Sequence, residues 1–265
     1  MVDFEYKDAY NVQDFRRIIE ILRGEGGCPW DREQTHESLR RNLLEEAYEV
    51  CEAIDEHSTA HLREELGDLL MQVIFHADIE EKAGSFDLDD VADEACKKLI
   101  LRHPHVFGTV EVSGSEDVLE NWDAIKRVEK HQETTGSAMD SVARSLPSLW
   151  RAEKVQKKAR KSGFDWDDIS GALDKLSEET AELREAVQSG EHVEEELGDV
   201  LFSAVNVARF ADVDPEEALH AACEKFIRRY RAMESEAQNR GLTLSELPLE
   251  QQEELYQFVK REQGL

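Results

Sequence analysis

Positive charge is scarce in this chain: 32 Lys and Arg stand against 60 Asp and Glu among 265 residues, a formal net charge of −28. A field of that sign repels phosphate backbones and anionic lipid, so nucleic acid and membrane surfaces are disfavoured as partners. A phosphorylated substrate has to arrive with a cation. Proline is also rare, at five residues, and no apolar/polar alternation is long enough for a half-buried strand. Long apolar runs are missing, since the cluster Leu69 to Phe75 is interrupted by Gln72, and no membrane span is expected. The opening Met-Val-Asp-Phe-Glu-Tyr-Lys lacks the basic-then-apolar order of an export signal. Cys28, Cys51, Cys96 and Cys223 form no Cys-x-x-Cys pair, which excludes a zinc knuckle and a redox dithiol and leaves scattered reduced thiols of a cytoplasmic protein. Gly24-Glu25-Gly26-Gly27 lacks the Lys-Ser/Thr that completes a phosphate-binding P-loop.

What remains is a folding chain, 40% apolar and 35% charged, with enough Leu, Ile, Val and Phe for a core. It is written twice. Gly27-Cys-Pro-Trp30-Asp31 answers Gly163-Phe-Asp-Trp166-Asp167, Glu45-Glu46 with Glu49 answers Glu178-Glu179 with Glu182, and Glu64-Glu65-Leu66-Gly67-Asp68 answers Glu195-Glu196-Leu197-Gly198-Asp199. Lys98 and Arg102 then answer Lys225 and Arg229, and Trp122 with Lys126 answers Tyr256 with Lys260, in the same order. The modules meet in the polar stretch His131 to Pro147, and the boundary is placed near 140, giving modules 1–140 and 141–265. Apolar residues spaced i, i+3, i+4 predict an all-α fold with helices near 11–23, 38–56, 60–82, 88–102, 115–131, 148–161, 170–188, 191–211, 215–240 and 249–263. Asp214-Pro215 reads as a helix start, and Gly84 and Gly190 read as stops.

On a helical wheel with Glu46 at zero, Glu49 falls near 300° while Val50, Leu43, Ile54 and Ala47 lie between roughly 40° and 100°. Glu65 and Asp68 border the stripe of Leu69, Leu62, Val73 and Leu66 at the same angles. Two antiparallel helices packed along these stripes bring four carboxylates together, and Glu179, Glu182, Glu196 and Asp199 repeat the geometry in the second module. Such crowding beside a core calls for a divalent cation, and all-oxygen ligation selects Mg²⁺, with Mn²⁺ as a substitute. Gly67 and Gly198, mid-helix and one residue before the fourth acid, suggest close approach by a helix or a ligand. The cation pairs Lys98/Arg102 and Lys225/Arg229 share helix faces and suit the outer phosphates of a ligand, or bridges to neighbouring acids. Trp122/Lys126 and Tyr256/Lys260 suit stacking and phosphate contact, or core packing. Two other readings stay open. A di-metal carboxylate bundle needs Glu-x-x-His pairs, for which Glu33/His36 and Glu217/His220 have the spacing without recurring in the other module; a non-enzymatic acidic helical adaptor needs no site at all. His103-Pro104-His105 reads as a structural turn.

Glu-Glu-x-x-Glu followed by Glu-x-x-Asp, with Gly-Cys-Pro-Trp-Asp upstream and His103-Pro104-His105-Val106-Phe107 downstream, resembles the MazG family of nucleoside triphosphate pyrophosphohydrolases in its tandem form, across nearly the whole chain. The resemblance implies two modules of the all-α NTP pyrophosphatase type, four-helix-bundle-like in a homodimer, that hydrolyse NTPs and dNTPs to the monophosphate and pyrophosphate with Mg²⁺. It implies metal ligation by Glu179, Glu182, Glu196 and Asp199, and by Glu46, Glu49, Glu65 and Asp68. It places Lys175, Lys225, Arg229, Tyr256 and Lys260 on nucleotide and phosphates, with Glu195 and with His192, which stands where the family's second module often has Lys. Lys98, Arg102, Trp122 and Lys126 are the first-module counterparts. Glu178 and Glu45, outside the quartets, are the candidates to orient or deprotonate the attacking water. Lys175 is matched by Asn42, so the second module is expected to be the main catalytic one.

Overall fold

The computed structural model describes residues 4–129 and 134–262, and all regular structure there is helical. The chain divides into two compact units, Met1–Lys126 and Arg127–Leu265. The first holds α1 (Val12–Arg23), α2 (Pro29–Glu33), α3 (His36–Asp55), α4 (Thr59–Ala83), α5 (Leu88–Arg102), α6 (Pro104–Phe107) and most of α7 (Ser115–Glu129). The second holds α8 (Thr135–Asp140), α9 (Ser148–Arg160), α10 (Ile169–Ser189), α11 (Val193–Phe210), α12 (Pro215–Asn239), a 3₁₀ turn (Leu244–Glu246) and α13 (Leu249–Glu262). No helix among the described residues is long and apolar enough to cross a membrane.

The ten helices read from periodicity are all present, within about two residues wherever their ends are described; the expected ends at 131 and 263 lie outside the described residues. The periodicity missed α2, α6, α8 and the 3₁₀ turn, which are too short to show a repeat. Pro29 and Pro104 start two of these pieces by presetting φ at the first helical position. A reciprocal cap between Thr134 and Ser137 starts the third, so the stretch read as a polar connection contains a helix with Ala138 buried. Asp214 caps α12 through the amides of Glu216 and Glu217, and left-handed Gly84 and Gly190 end α4 and α10.

In each unit one long antiparallel helix pair dominates, α3 on α4 and α10 on α11. The first unit packs Ile19, Leu39, Ile74 and Phe75 where α1 and α3 meet α4. Arg16 binds Glu81, Asp87 and Asp89, tying α1 to α4 and to the start of α5. The second unit packs Met233, Ala237, Leu244, Leu255 and Val259 between α12 and α13. Trp150 Nε1 donates to both oxygens of Asp214 at 2.9 Å, and Gln156 Nε2 donates to the Phe202 carbonyl at 2.8 Å, so α9 is anchored to α11 and α12.

An ion pair holds the Trp-containing segment in both units, with its polarity reversed. Arg23 Nε lies 2.5 Å from Asp78 on α4, and its Nη1 donates to the Asp31 carbonyl at 2.5 Å. In the second unit the position matching Asp78 is Arg209 on α11, and it holds Asp165 in the loop through two bonds of 2.6 and 2.9 Å. Burial would raise the Asp165 carboxyl, but Arg209 outweighs it and holds the group below the usual carboxylate range.

At the same end of the α3/α4 pair, beside Asp78, His36 Nδ1 sits 2.7 Å from His76 Nδ1, the rings stack at 4.9 Å, and His36 Nε2 meets Glu80 at 2.7 Å. His76 Nε2 is buried without a partner. Burial, and then the neighbouring His36, hold His76 below its ordinary 6.5, so its share of stability is complete above that pH and is lost as the pH falls through the lower folded value. His61, raised chiefly by its bond to Glu56, acts in the opposite sense. We expect His76→Asn to flatten the decline in thermal stability between about pH 7.5 and 5.5 relative to the parent chain, as followed by circular dichroism; an unchanged slope would show that this pair does not govern it.

Candidate active site

The α3/α4 and α10/α11 pairs are joined by tight turns, and in each turn a histidine adopts a left-handed backbone, His57 at φ 54° and His192 at φ 60°. This reverses the chain in three residues and sets the acid-bearing helices side by side. In the first unit, carboxylate oxygens of Glu46, Glu49 and Glu65 lie within 4.8 Å of one another, and in the second unit those of Glu179, Glu196 and Asp199 do the same. Glu65 and Glu179 are buried, at 8% and 6% exposure. Two of the eight acids stand outside these trios, Asp68 in the first unit and Glu182 in the second. Both still feel the cluster. Burial first, then Asp68, Glu49 and Glu65, raise Glu46 above the usual carboxylate range. A hydrogen bond with Glu179 raises Glu182, with Glu196 adding to it. Three oxygens converging without Cys or His suit a hard divalent ion.

The two clusters differ in their cations. Lys175 Nζ lies 2.8 Å from Glu178 and 2.7 Å from Glu179, and these two hydrogen bonds hold the ammonium well above its ordinary range. The first unit has Asn42 at that place; Arg41 bonds Glu45 at 3.0 Å instead, so both candidate water-orienting acids are ion-paired and exposed. His61 Nε2 reaches Glu65 at 3.1 Å, whereas His192, at the matching place, turns Nδ1 to Glu195 at 3.1 Å. The His61/Glu65 spacing of i, i+4 was the available signal for a contact that sequence reasoning did not find.

A β-carbon at Gly67 or Gly198 would meet nothing within 4 Å, so neither glycine is required for close helix packing within the chain. The arginines of the cation pairs are buried, Arg102 and Arg229 each at 7% exposure, while Lys98 and Lys225 are exposed and make no ion pair among the described residues. The aromatic rings take these arginines as partners. Arg102 lies 5.4 Å over Trp122, and Arg229 lies 5.7 Å over Tyr256 while donating from Nη1 to its hydroxyl at 3.2 Å. The i, i+4 lysines Lys126 and Lys260 are half-buried one turn further on. The recurrence of an arginine–aromatic pair in both units comes from a helix-to-helix contact that periodicity does not show.

The alternative metal centre fails on geometry. Glu33 and His36 fall on different helices, with His36 engaged by His76 and Glu80, and neither Glu217 nor His220 joins an acid cluster. His103 Nδ1 donates to the Leu99 carbonyl, 2.6 Å away, and its ring meets Trp122 edge-on at 4.9 Å, as befits a structural turn.

The sequence profile described as the MazG nucleotide pyrophosphohydrolase domain matches this chain twice, over residues 34–107 and 169–233, and each match contains one acid-bearing helix pair. The chain belongs to the MazG family. It is 45% identical over 243 residues to the nucleoside triphosphate pyrophosphohydrolase/pyrophosphatase MazG of Thermotoga maritima, covering 92% of this chain and 93% of that one. It is 44% identical over 251 residues to the nucleoside triphosphate pyrophosphohydrolase of Escherichia coli, covering 93% and 95%. It is also 47% identical over 254 residues to the uncharacterized protein YabN of Bacillus subtilis, of which the match covers 52%. The twice-matched family domain accounts for the two helical modules read from the internal repeat.

Proposed function

We propose that this protein is a cytoplasmic nucleoside triphosphate pyrophosphohydrolase whose working site is the Glu179–Glu196–Asp199 cluster, with Glu182 completing the set. The observation that carries the reading is Lys175, which places an ammonium 2.7 Å from Glu179, at the edge of the acid cluster. Membership in the MazG family and the names of the two full-length relatives support the activity, in a nucleotide-pool house-cleaning or regulatory role. The two modules, which part near the end of α7 rather than at 140, are each one copy of the repeated unit.

The carboxylate trios fit Mg²⁺, or Mn²⁺ in its place; such an ion would neutralise substrate charge and polarise the phosphoryl oxygens. The chain's own residues do the rest. Lys175 leaves its carboxylates for a phosphate oxygen, where the charge-assisted bond strengthens as negative charge develops. That exchange frees Glu178 to accept a proton from water while the water oxygen attacks the α-phosphorus and the bond to the β-phosphate oxygen breaks, releasing pyrophosphate. Lys225, Arg229 and Lys260 hold the phosphates, Tyr256 contacts the nucleotide, and His192 and Glu195 border the turn. Lys98, Arg102, Trp122, Lys126 and Glu45 are the first-module equivalents around Glu46, Glu49, Glu65 and Asp68.

The acid-flanking stripes leave large apolar side chains bare on the single chain, among them Ile54 at 53%, Leu66 at 49%, Val187 at 62% and Leu197 at 47% exposure. A homodimer that covers them forms the four-helix-bundle-like core.

Three measurements test this. Exhaustive chelation should abolish pyrophosphate release from NTPs, and undiminished turnover would remove the metal from the reaction. With saturating Mg²⁺, Glu179→Gln should lose at least about a hundredfold in kcat while Glu46→Gln keeps most activity, because only the second cluster has its ammonium; the reverse ranking would move the working site to the first module. Light scattering should give a particle of twice the 30.3 kDa of one chain, and a 30.3 kDa particle at micromolar concentration would refute the dimer.

A further inference from the structure

Trp166 lies in the loop before α10 and is 42% exposed, yet its position is tightly held. A β-carbon at Gly171 would come within 2.3 Å of Trp166 Cδ1 and 2.5 Å of Cγ, so the indole rests directly on the helix backbone where a side chain would otherwise stand. Asp165, the preceding residue, is clamped by Arg209 and accepts from the Trp166 amide at 3.0 Å. A large aromatic ring pinned by backbone contact on one side and open on the other is a platform rather than a core residue.

Its place on α10 says what the platform faces. With Gly171 at zero, Lys175, Glu178, Glu182 and Glu179 fall at roughly 40°, 340°, 20° and 80°, one face of the helix. The buried line of α10, Ala172, Glu179 and Ala186, lies at roughly 100°, 80° and 60°, so this face is the open rim of the seam with α11. Indole, ammonium and acid cluster therefore follow one another along the rim, and the eight steps from Gly171 to Glu179 rise about 12 Å. That order matches base, phosphates and metal along a nucleoside triphosphate. One face of Tyr256, the other aromatic proposed at the nucleotide, is already covered by Arg229.

The first unit lacks the arrangement. The residue matching Gly171 is Ser38, whose hydroxyl donates to Gln34 Oε1 at 2.7 Å, and Gln34 Nε2 donates to the Trp30 carbonyl at 2.9 Å. Side chains fill the seat that the indole takes on α10, and Asn42 stands in the ammonium's place.

We propose that Trp166 stacks on the nucleobase of the substrate, seated by Gly171 and by the Arg209–Asp165 pair, and that it makes the second module bind nucleotides in preference to bare polyphosphate. The inference rests on the second module being the nucleotide site. Aromatic stacking tolerates any base, so it adds affinity without selecting among bases.

Calorimetric titration of the full-length protein with Mg²⁺ and either α,β-methylene-ATP or inorganic triphosphate separates the two claims. Trp166→Ala should weaken α,β-methylene-ATP about tenfold and leave triphosphate unchanged. Trp166→Phe should recover most of the loss, and Gly171→Ala, which evicts the indole while leaving it in the chain, should reproduce it. Unchanged binding of the nucleotide analogue by Trp166→Ala, or equal weakening of both ligands, would overturn the proposal. Binding of both ligands left unchanged by Glu179→Gln would instead overturn the second module as the nucleotide site.

Discussion

Three carboxylates converge within 4.8 Å at the seam of α3 and α4, and three more at the seam of α10 and α11, so each unit has to hold together groups that repel. Water screens them poorly, because Glu65 and Glu179 are buried. Burial, and after it the neighbouring carboxylates, raise the proton affinity of Glu46, and a hydrogen bond with Glu179 raises that of Glu182. Much of the surrounding structure works to keep the helix pairs from relaxing apart. The turns are short, and ion pairs fasten each seam to the segment before it.

Those fastenings show how two copies of one design diverge. Asp78 and Arg209 occupy the same place and carry opposite charges, and each found a partner that keeps the Trp loop against the helix pair. An ion pair is indifferent to which side supplies which sign, so the polarity could invert without loss of the contact. The acid clusters did not have that freedom, since a cation needs oxygen donors on both helices. They changed instead in their neighbours: Lys175 against Asn42, Gly171 against Ser38, His192 turned away from Glu196 where His61 meets Glu65. The second unit thereby acquired an ammonium beside its cluster and a backbone seat for an indole. The first retained the acids and filled the seat with the Ser38–Gln34 pair.

Sequence by itself determined the all-α class, the ten long helices, the internal repeat and which acids line each seam. These follow from local rules: helical periodicity puts Glu46 and Glu49 on one edge and Glu65 and Asp68 on another, and apolar stripes oblige those edges to meet. Short helices such as α2 and α8 escaped because four to six residues carry no period. Only the tertiary structure decided which three of four acids converge, since the angle of each side chain depends on how two helices cross. It alone paired Arg102 with Trp122 and Arg229 with Tyr256, 20 and 27 positions apart, where i, i+4 spacing had suggested the lysines. It alone showed that Gly171 is empty for the sake of Trp166, because a missing side chain has no meaning until the group that fills its volume is in place.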